Sequence, residues 1–227
     1  MLLVFLGVST NKITIRGAVA GGGITFLLLL AFQWLGLLMI ASFFALGTLA
    51  SVWKSSEKRR QGTEEKNRGK RDYVNVLANG GVASIASIFA ILLPQNYNIW
   101  LLAMSASFAV ALSDTFSSEF GNIYGNRCIN VLSGKEGRRG EDGLISIEGS
   151  LFGILGSSLI SLLFYAFYTE YVAIFIVFIA GIAGNLIDSI LGASLQRKGV
   201  LNNHTVNFYS ILIASSLASL TFYLLTN

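Results

Sequence analysis

Seven apolar stretches follow one another along the chain, and they constrain its fold more than any other feature. A helix needs about 20 predominantly apolar residues to cross the hydrocarbon core of a bilayer. Hydrophobic residues make up 53% of the 227 residues and charged residues only 12%, which is too little polar surface for a soluble domain of this size. We therefore predict an all-α, polytopic membrane helix bundle that forms a single domain over residues 1–227. The predicted spans are Gly17–Phe32, Leu35–Trp53, Tyr73–Leu93, Ile99–Ser117, Ile145–Tyr168, Tyr171–Ala193 and Val206–Leu225.

Basic residues fall only in alternate loops between these spans. All 16 Lys and Arg residues lie in loops that share one side of the membrane, and the loops near Gln33, Pro94 and Glu170 carry none. Because cytoplasmic loops carry an excess of Lys and Arg, the N-terminus is predicted to be cytoplasmic and the C-terminus outside. Three loops on the cytoplasmic side are long enough to build a site, at about 54–72, 120–144 and 194–205.

Composition also excludes several classes of protein. The net charge of +4 is explained by these orienting loops, so we expect a membrane and no nucleic acid as partner. The lone Cys128 excludes an internal disulfide framework, and the single His204 excludes a histidine-rich metal site. The apolar start Met1–Val8 is too short to span, and the charged stretch Lys58–Lys66 is interpreted as a solvated loop near anionic headgroups.

Acidic residues within predicted spans are costly and usually functional. Asp114 lies near the cytoplasmic end of the fourth span, Glu119 follows at the membrane edge, and Asp188 lies at a similar depth in the sixth span. Carboxylates with hydroxyls and amides beside them form an oxygen cage suited to Mg²⁺. Asp114, Glu119 and Asp188 are therefore the candidate metal ligands. The alternative is that each acid pairs with a Lys or Arg of a loop.

Basic and amide side chains lead into the third span. Lys70 and Arg71 lie at the membrane edge, where they can donate charge-assisted hydrogen bonds to the phosphates of a ligand. Asn75 and Asn79 are four residues apart and share one helical face. Each amide needs partners inside the membrane, so the pair either joins helices or binds a polar ligand.

Two further segments have the composition of a ligand-binding surface. The stretch Ser133–Gly143 is rich in glycine, contains Arg138 and Arg139, and precedes the fifth span, where its backbone can cradle a phosphate. It lacks the spacing of a P-loop, so a mobile loop is an equally good interpretation. Small residues end the sixth span before Gln196, and Asn207 opens the last span.

Together these clusters indicate anion chemistry at the inner leaflet, and phosphoryl transfer needs little beyond positioning and charge neutralisation. A cation-coupled transporter or channel with Asp114 and Asp188 as a relay is a rival, although their depth near one face disfavours it. A scaffold that uses its acids only for helix packing is a third possibility.

Four segments in order carry a resemblance to a known family: GKRDYVNVLANGG, ALSDTFSSEFGN, DGLISIEGSLFGILGS and GNLIDSILGASLQ. They resemble the hallmark segments of the transmembrane protein 19-like family (domain of unknown function 92), which includes a plant phytyl-phosphate kinase. The resemblance extends from about Arg16 to Asn207. It places motif positions at Lys70, Arg71, Asp72, Asn75, Asn79, Asp114, Glu119, Asp188 and Gln196.

The resemblance implies a kinase that transfers a phosphoryl group from CTP or another nucleoside triphosphate to a polyprenyl monophosphate. Its partners would be a nucleoside triphosphate, a prenyl phosphate lipid and Mg²⁺, and its site would face the cytoplasm of a bacterial inner membrane. We assign Asp114, Asp188, Lys70 and Arg71 as catalytic, and Asn75, Asn79, Gln196, Arg138, Arg139 and Asn207 as substrate-binding. A cytidylyltransferase that forms a CDP-lipid is the alternative reaction, and it would release pyrophosphate.

Overall fold

The computed structural model describes residues 12–63 and 70–226, so Met1–Val8 and the bases Lys66 and Arg68 lie outside the described residues. The helices are α1 (Ile15–Val52), α2 (Ser55–Gln61), α3 (Tyr73–Leu92), α4 (Tyr97–Tyr124), α5 (Ile147–Tyr165), α6 (Tyr171–Leu191) and α7 (Asn203–Thr226). A 3₁₀ turn (Pro94–Asn96) joins α3 to α4, and a π-helical turn (Gly192–Gln196) extends α6. Strands β1 (Ile129–Asn130) and β2 (Leu144–Ile145) form an antiparallel hairpin, with Ile129 opposite Ile145.

Helix α1 reverses direction in its middle. Gln33 has the non-helical angles φ 52° and ψ −133°, and a Cβ placed on Gly36 would lie only 2.6 Å from the carbonyl oxygen of Leu28. The two arms, residues 15–32 and 34–52, therefore lie against each other. A straight helix of 38 residues would separate its ends by about 57 Å.

The outer ends of both arms meet at one end of the bundle. A Cβ on Gly17 would lie 2.9 Å from the carbonyl oxygen of Arg71, and one on Gly47 would lie 2.4 Å from an Arg71 guanidinium nitrogen. The arms are thus antiparallel, and they correspond to the first two predicted spans.

Among the described residues, six helices are long and apolar enough to cross a membrane, with α1 counted as one: α1, α3, α4 with its 3₁₀ turn, α5, α6 with its π-helical turn, and α7. Their positions match the predicted spans closely. The all-α polytopic membrane bundle is therefore confirmed.

Helix α4 lies at the centre of the bundle. Every residue from 101 to 113 is buried, so the helix is enclosed on all sides, as expected for the core of a membrane protein. It packs against α1, α3, α5, α6 and α7. Asp114 follows directly after this buried stretch of the central helix.

Small residues let α5 approach α4 closely. A Cβ on Gly149 would lie 2.9 Å from the carbonyl oxygen of Ser117, and one on Gly156 would lie 2.8 Å from that of Leu112. Such contact between backbones is the usual way for helices to associate inside a bilayer. It fixes the end of α5 beside the acidic turn of α4.

The loops that carry the basic residues meet at one end of the bundle, which we call the basic end. Ile13 pairs with Arg71 in a parallel bridge, and the Arg139 guanidinium donates to Oε1 of Gln61. The Arg197 guanidinium donates to the carbonyl oxygen of Asp142 at 2.7 Å. The N-terminal segment, α2, the β1–β2 hairpin and the end of α6 therefore form one surface.

Candidate functional site

A cavity of about 650 Å³ opens at the basic end, a size typical of ligand-binding sites. It lies among the ends of α1, α3, α4, α6 and α7 and is bordered by the β1–β2 hairpin. Nine of the residues predicted from sequence line it: Lys70, Arg71, Asn75, Asn79, Asp114, Glu119, Asp188, Gln196 and Asn207. The structure brings together side chains from loops and helices that are far apart in the chain.

Three helix N-termini point towards this cavity. The side chain of Asp72 accepts a hydrogen bond from the backbone N–H of Asn75. In the same way the side chain of Ser146 accepts from the backbone N–H of Gly149, and that of Asn202 from the backbone N–H of Thr205, so each residue caps the start of its helix. Asp72, Ser146 and Asn202 all line the cavity. A helix N-terminus carries a partial positive charge that favours anions.

Asp188 is held in place by α7. The hydroxyl of Ser210, itself 1% exposed, donates to Oδ2 of Asp188 at 3.1 Å. Asp142 of the hairpin also lines the cavity. Sequence reasoning missed both Ser210 and Asp142, because neither contact can be inferred from spacing along the chain.

Arg71 is positioned by the second arm of α1. Its guanidinium lies 4.9 Å from the ring centre of Phe43 and 5.5 Å from that of Phe44, in cation–π geometry. Gly47 leaves room for the guanidinium, since a Cβ there would overlap it. The backbone of Arg71 pairs with the N-terminal segment through the Lys12 carbonyl at 3.0 Å. The side chain is therefore held at the cavity wall from two directions.

The asparagine pair lies on the α3 wall of the cavity. The side-chain amide of Asn79 donates to the backbone carbonyl oxygen of Asn75 at 2.9 Å, and Asn79 is only 5% exposed. Both residues line the cavity. The pair therefore faces the candidate site, and one hydrogen bond of the Asn79 side chain is made within α3.

A second wall comes from the junction of α6 and α7. The π-helical turn Gly192–Gln196 brings Gln196 to the cavity, and π-helical turns are often found at functional sites. Asn203, His204 and Asn207 complete this wall. His204 has a buried Nδ1 that has no hydrogen-bond partner in the part of the chain that the structure describes.

Glu119 does not behave as the predicted metal ligand. Its Oε2 atom lies 2.5 Å from Nζ of Lys58, and the two side chains are 7% and 2% exposed. This is the alternative in which an acid pairs with a base of a loop. Lys58 is accordingly buried, which differs from the interpretation of Lys58–Lys66 as a solvated loop. Glu119 is adjacent to the cavity, but a base of the protein already neutralises it.

Arg138 and Arg139 were predicted to bind substrate, but neither of them lines the cavity. The Arg139 guanidinium donates to the carbonyl oxygens of Ile123 and Gly125 at the C-terminus of α4 and to Gln61 of α2. A basic side chain at a helix C-terminus satisfies carbonyls that have no partner within the helix. Arg138 is exposed. The structure therefore gives Arg139 a capping role and leaves Arg138 outside the cavity.

Among the described residues, the lining is acidic on balance: it includes six carboxylates but only two residues of the Lys and Arg class, Lys70 and Arg71. The acids are Asp72, Asp114, Glu119, Glu141, Asp142 and Asp188. Within residues 12–63 and 70–226, no group of three or more His, Cys, Asp or Glu is arranged to hold a metal ion. The predicted cage of three carboxylates is thus not present. Mg²⁺ is usually held by one or two carboxylates together with substrate phosphates. Asp114 of α4 and Asp188 of α6 contribute two carboxylates to the cavity lining.

Comparison with known proteins gives consistent results. The chain is 35% identical to an uncharacterized membrane protein of Methanocaldococcus jannaschii over 91% of this chain and 84% of that protein. It is 34% identical to the chloroplastic protein VTE6 of Arabidopsis thaliana over 82% of this chain but only 58% of that protein. An uncharacterized membrane protein of Synechocystis is 31% identical over 83% and 74% of the two chains.

No solved structure matches the chain. A family model described as integral membrane protein DUF92 matches residues 1–215. This covers nearly the whole bundle, including every residue that lines the cavity. The chain therefore belongs to the integral membrane family DUF92.

Proposed function

We propose that the protein is a membrane kinase that transfers a phosphoryl group from CTP or another nucleoside triphosphate to a polyprenyl monophosphate. The observation that carries the proposal is one cavity where acids, bases and three helix N-termini meet at the end of a membrane bundle. A cavity at a membrane surface can receive a lipid headgroup from the bilayer and a nucleotide from water. The resemblance to a family that includes a plant phytyl-phosphate kinase favours this substrate class.

The reaction requires no nucleophile from the protein. An oxygen of the acceptor monophosphate forms a bond to the γ-phosphorus of the nucleotide, the bond from that phosphorus to the β-phosphate oxygen breaks, and the nucleoside diphosphate leaves. Lys70 and Arg71 would hold the phosphates, as charge-assisted donors do. Asn75, Asn79, Gln196 and Asn207 would orient donor and acceptor from the two walls of the cavity.

The acidic lining requires additional positive charge before two highly charged phosphates can occupy the cavity. Asp114 and Asp188 are the residues that would hold Mg²⁺, which when bound neutralises charge on the β- and γ-phosphates. The Ser210 hydroxyl would keep Asp188 directed into the cavity.

The membrane sidedness is part of the proposal. The cavity lies at the same end as the basic loops, and the positive-inside rule favours the cytoplasmic face for such loops. We propose the cytoplasmic face of a bacterial inner membrane, with the C-terminus outside. This location would expose the site to cellular nucleotides.

The decisive experiment incubates purified protein with radiolabelled nucleotides, Mg²⁺ and prenyl monophosphates of several chain lengths. The expected products are a prenyl diphosphate and a nucleoside diphosphate. Release of pyrophosphate with a CDP-lipid would show a cytidylyltransferase. Absence of any product with every nucleotide and lipid tested would contradict the kinase.

Cys128 provides an independent measure of binding. It is the single cysteine of the chain and it lines the cavity. A nucleotide or prenyl phosphate that occupies the cavity is expected to slow alkylation of this thiol without any mutation. An unchanged alkylation rate at saturating nucleotide and lipid would place their binding elsewhere.

A further inference from the structure

Lys58 is the most deeply buried of the charged residues that the structure describes. Its side chain is 2% exposed although it lies on the short, polar helix α2. The ammonium group donates to the carbonyl oxygens of Ala50 at 3.1 Å and Ser51 at 2.8 Å, and to Glu119 at 2.5 Å. A lysine has three N–H donors, so this arrangement uses all of them.

These three contacts join separate elements. The carbonyls belong to the last turns of α1, which carry partial negative charge, and Glu119 belongs to the central helix α4. A buried ion pair adds little net stability compared with well-packed apolar residues, but removal of one partner leaves an uncompensated charge. The value of the Lys58 contacts therefore lies in the positions they fix.

The positions fixed by Lys58 are those of the cavity wall. Ser51 and Glu119, which accept from the ammonium group, both line the cavity. The carbonyl oxygen of Lys58 accepts from the Thr63 amide at 2.9 Å, and Thr63 also lines the cavity. Thr63 in turn lies against Gly140 of the hairpin, where an added Cβ would be 3.1 Å from its methyl group.

We propose that Lys58 is a positioning residue of the phosphate site. It holds α2 and Thr63 as one wall of the cavity, and it neutralises Glu119 so that this carboxylate neither repels an anionic substrate nor competes for its cation. The second part rests on the proposed function, because it assumes that the ligand is a phosphate.

The test compares Lys58→Met with Arg60→Met, a matched loss of one base from an exposed position on the same helix. Hydrogen exchange of the amides of residues 55–63 measures the wall directly. We expect Lys58→Met to accelerate this exchange at least tenfold, and Arg60→Met to leave it unchanged. Unchanged exchange in a folded Lys58→Met protein would overturn the proposal, whatever the substrate is.

The second measurement is the concentration of CTP with Mg²⁺ that half-protects Cys128 from alkylation. Lys58→Met is expected to raise it at least tenfold and to raise KM for the nucleotide more than it lowers kcat. Lys58→Arg and the charge-balanced pair Lys58→Met with Glu119→Gln should each recover most of the protection. Recovery by neither variant, or protection as strong in Lys58→Met as in the natural sequence, would contradict the charge role.

The two measurements separate the possible failures. If no nucleotide protects Cys128 of the natural sequence, the nucleotide binds outside this cavity and the charge role of Lys58 fails, while hydrogen exchange still decides whether Lys58 holds the wall and product formation still decides the proposed function. If Lys58→Met does not fold, the same two measurements on Lys58→Arg and on the charge-balanced pair decide instead. A higher half-protecting concentration together with normal hydrogen exchange of residues 55–63 in those variants would contradict positioning by α2.

Discussion

The two ends of the bundle differ in how their helices are joined. At the end opposite the cavity, α1 reverses at Gln33. At the same end the turn Pro94–Asn96 joins α3 to α4, and residues 166–170 join α5 to α6. None of these connections carries a Lys or Arg. At the basic end the connections are longer, and they build the cavity together with a β-hairpin and helix α2.

This difference shows how charge is used at the basic end. Lys58 caps the C-terminus of α1 and Arg139 caps that of α4, whereas Lys70 and Arg71 line the cavity. Basic residues that the positive-inside rule treats alike therefore divide into two groups. One group holds the loops on the helix ends, and the other lines the cavity.

The largest expected effect is loss of the cavity carboxylates. Asp114→Asn or Asp188→Asn should lower turnover about a thousandfold, because removal of one preorganised charge at a transition state commonly costs that much. Glu170→Gln, an equally conservative change at the opposite end, should leave turnover unchanged. The measurement is product formation per folded protein in detergent. Full activity of both Asp variants would remove the assignment of a cation to this cavity.

The sequence was sufficient to predict features that depend on the local periodicity of apolar residues and on the preference of basic loops for one side of the membrane. Apolar runs predicted the spans, including the two arms of α1, and the acids within spans predicted Asp114 and Asp188 at the cavity. It was insufficient for contacts between distant loops. Lys58 and Glu119 are 61 residues apart, and nothing in the sequence of α2 indicates which of its three bases, Lys58, Arg59 or Arg60, is buried.

The same limit explains the arginines of the hairpin. A glycine-rich loop with bases before a helix has the composition of a phosphate cradle, and that composition led to Arg138 and Arg139. The direction of a side chain depends on how the hairpin docks, which is set by Gly143 against the α6 end and by Arg197. Docking brings Asp142 to the cavity and turns Arg139 to the end of α4.

An intermediate effect is expected when this docking is disturbed. Gly143 has φ +71°, and a Cβ there would lie 2.2 Å from the backbone nitrogen of Ala193. Gly134 has a similar φ of +66° with nothing within 4 Å, so Gly134→Ala adds the same backbone strain without the clash. We expect Gly143→Ala to lower turnover roughly tenfold through displacement of the loop, as small misplacements in active sites do. Similar turnover in the two variants would show that hairpin docking does not matter to the site.

The smallest effect is expected at the opposite end. The Tyr168 hydroxyl donates to Oε2 of Glu170 at 3.0 Å, and burial together with this carboxylate raises the pKa of Tyr168 from 10.0 to about 12. Tyr168→Phe should lower the free energy of unfolding by about 1 kcal/mol, the usual net value of one hydrogen bond, and leave turnover unchanged.

The pH dependence gives this last prediction a second measurement. Below pH 10 the phenol is protonated in both states, so the hydrogen bond contributes fully. Between pH 10 and about 12 the unfolded phenol ionises while the folded one does not, so the contribution of Tyr168 to stability decreases with rising pH. The difference in unfolding free energy between the natural sequence and Tyr168→Phe should therefore be constant below pH 9 and shrink above pH 10. A loss of turnover in Tyr168→Phe at neutral pH would instead couple the far end to the cavity, and the separation of the two ends would be wrong.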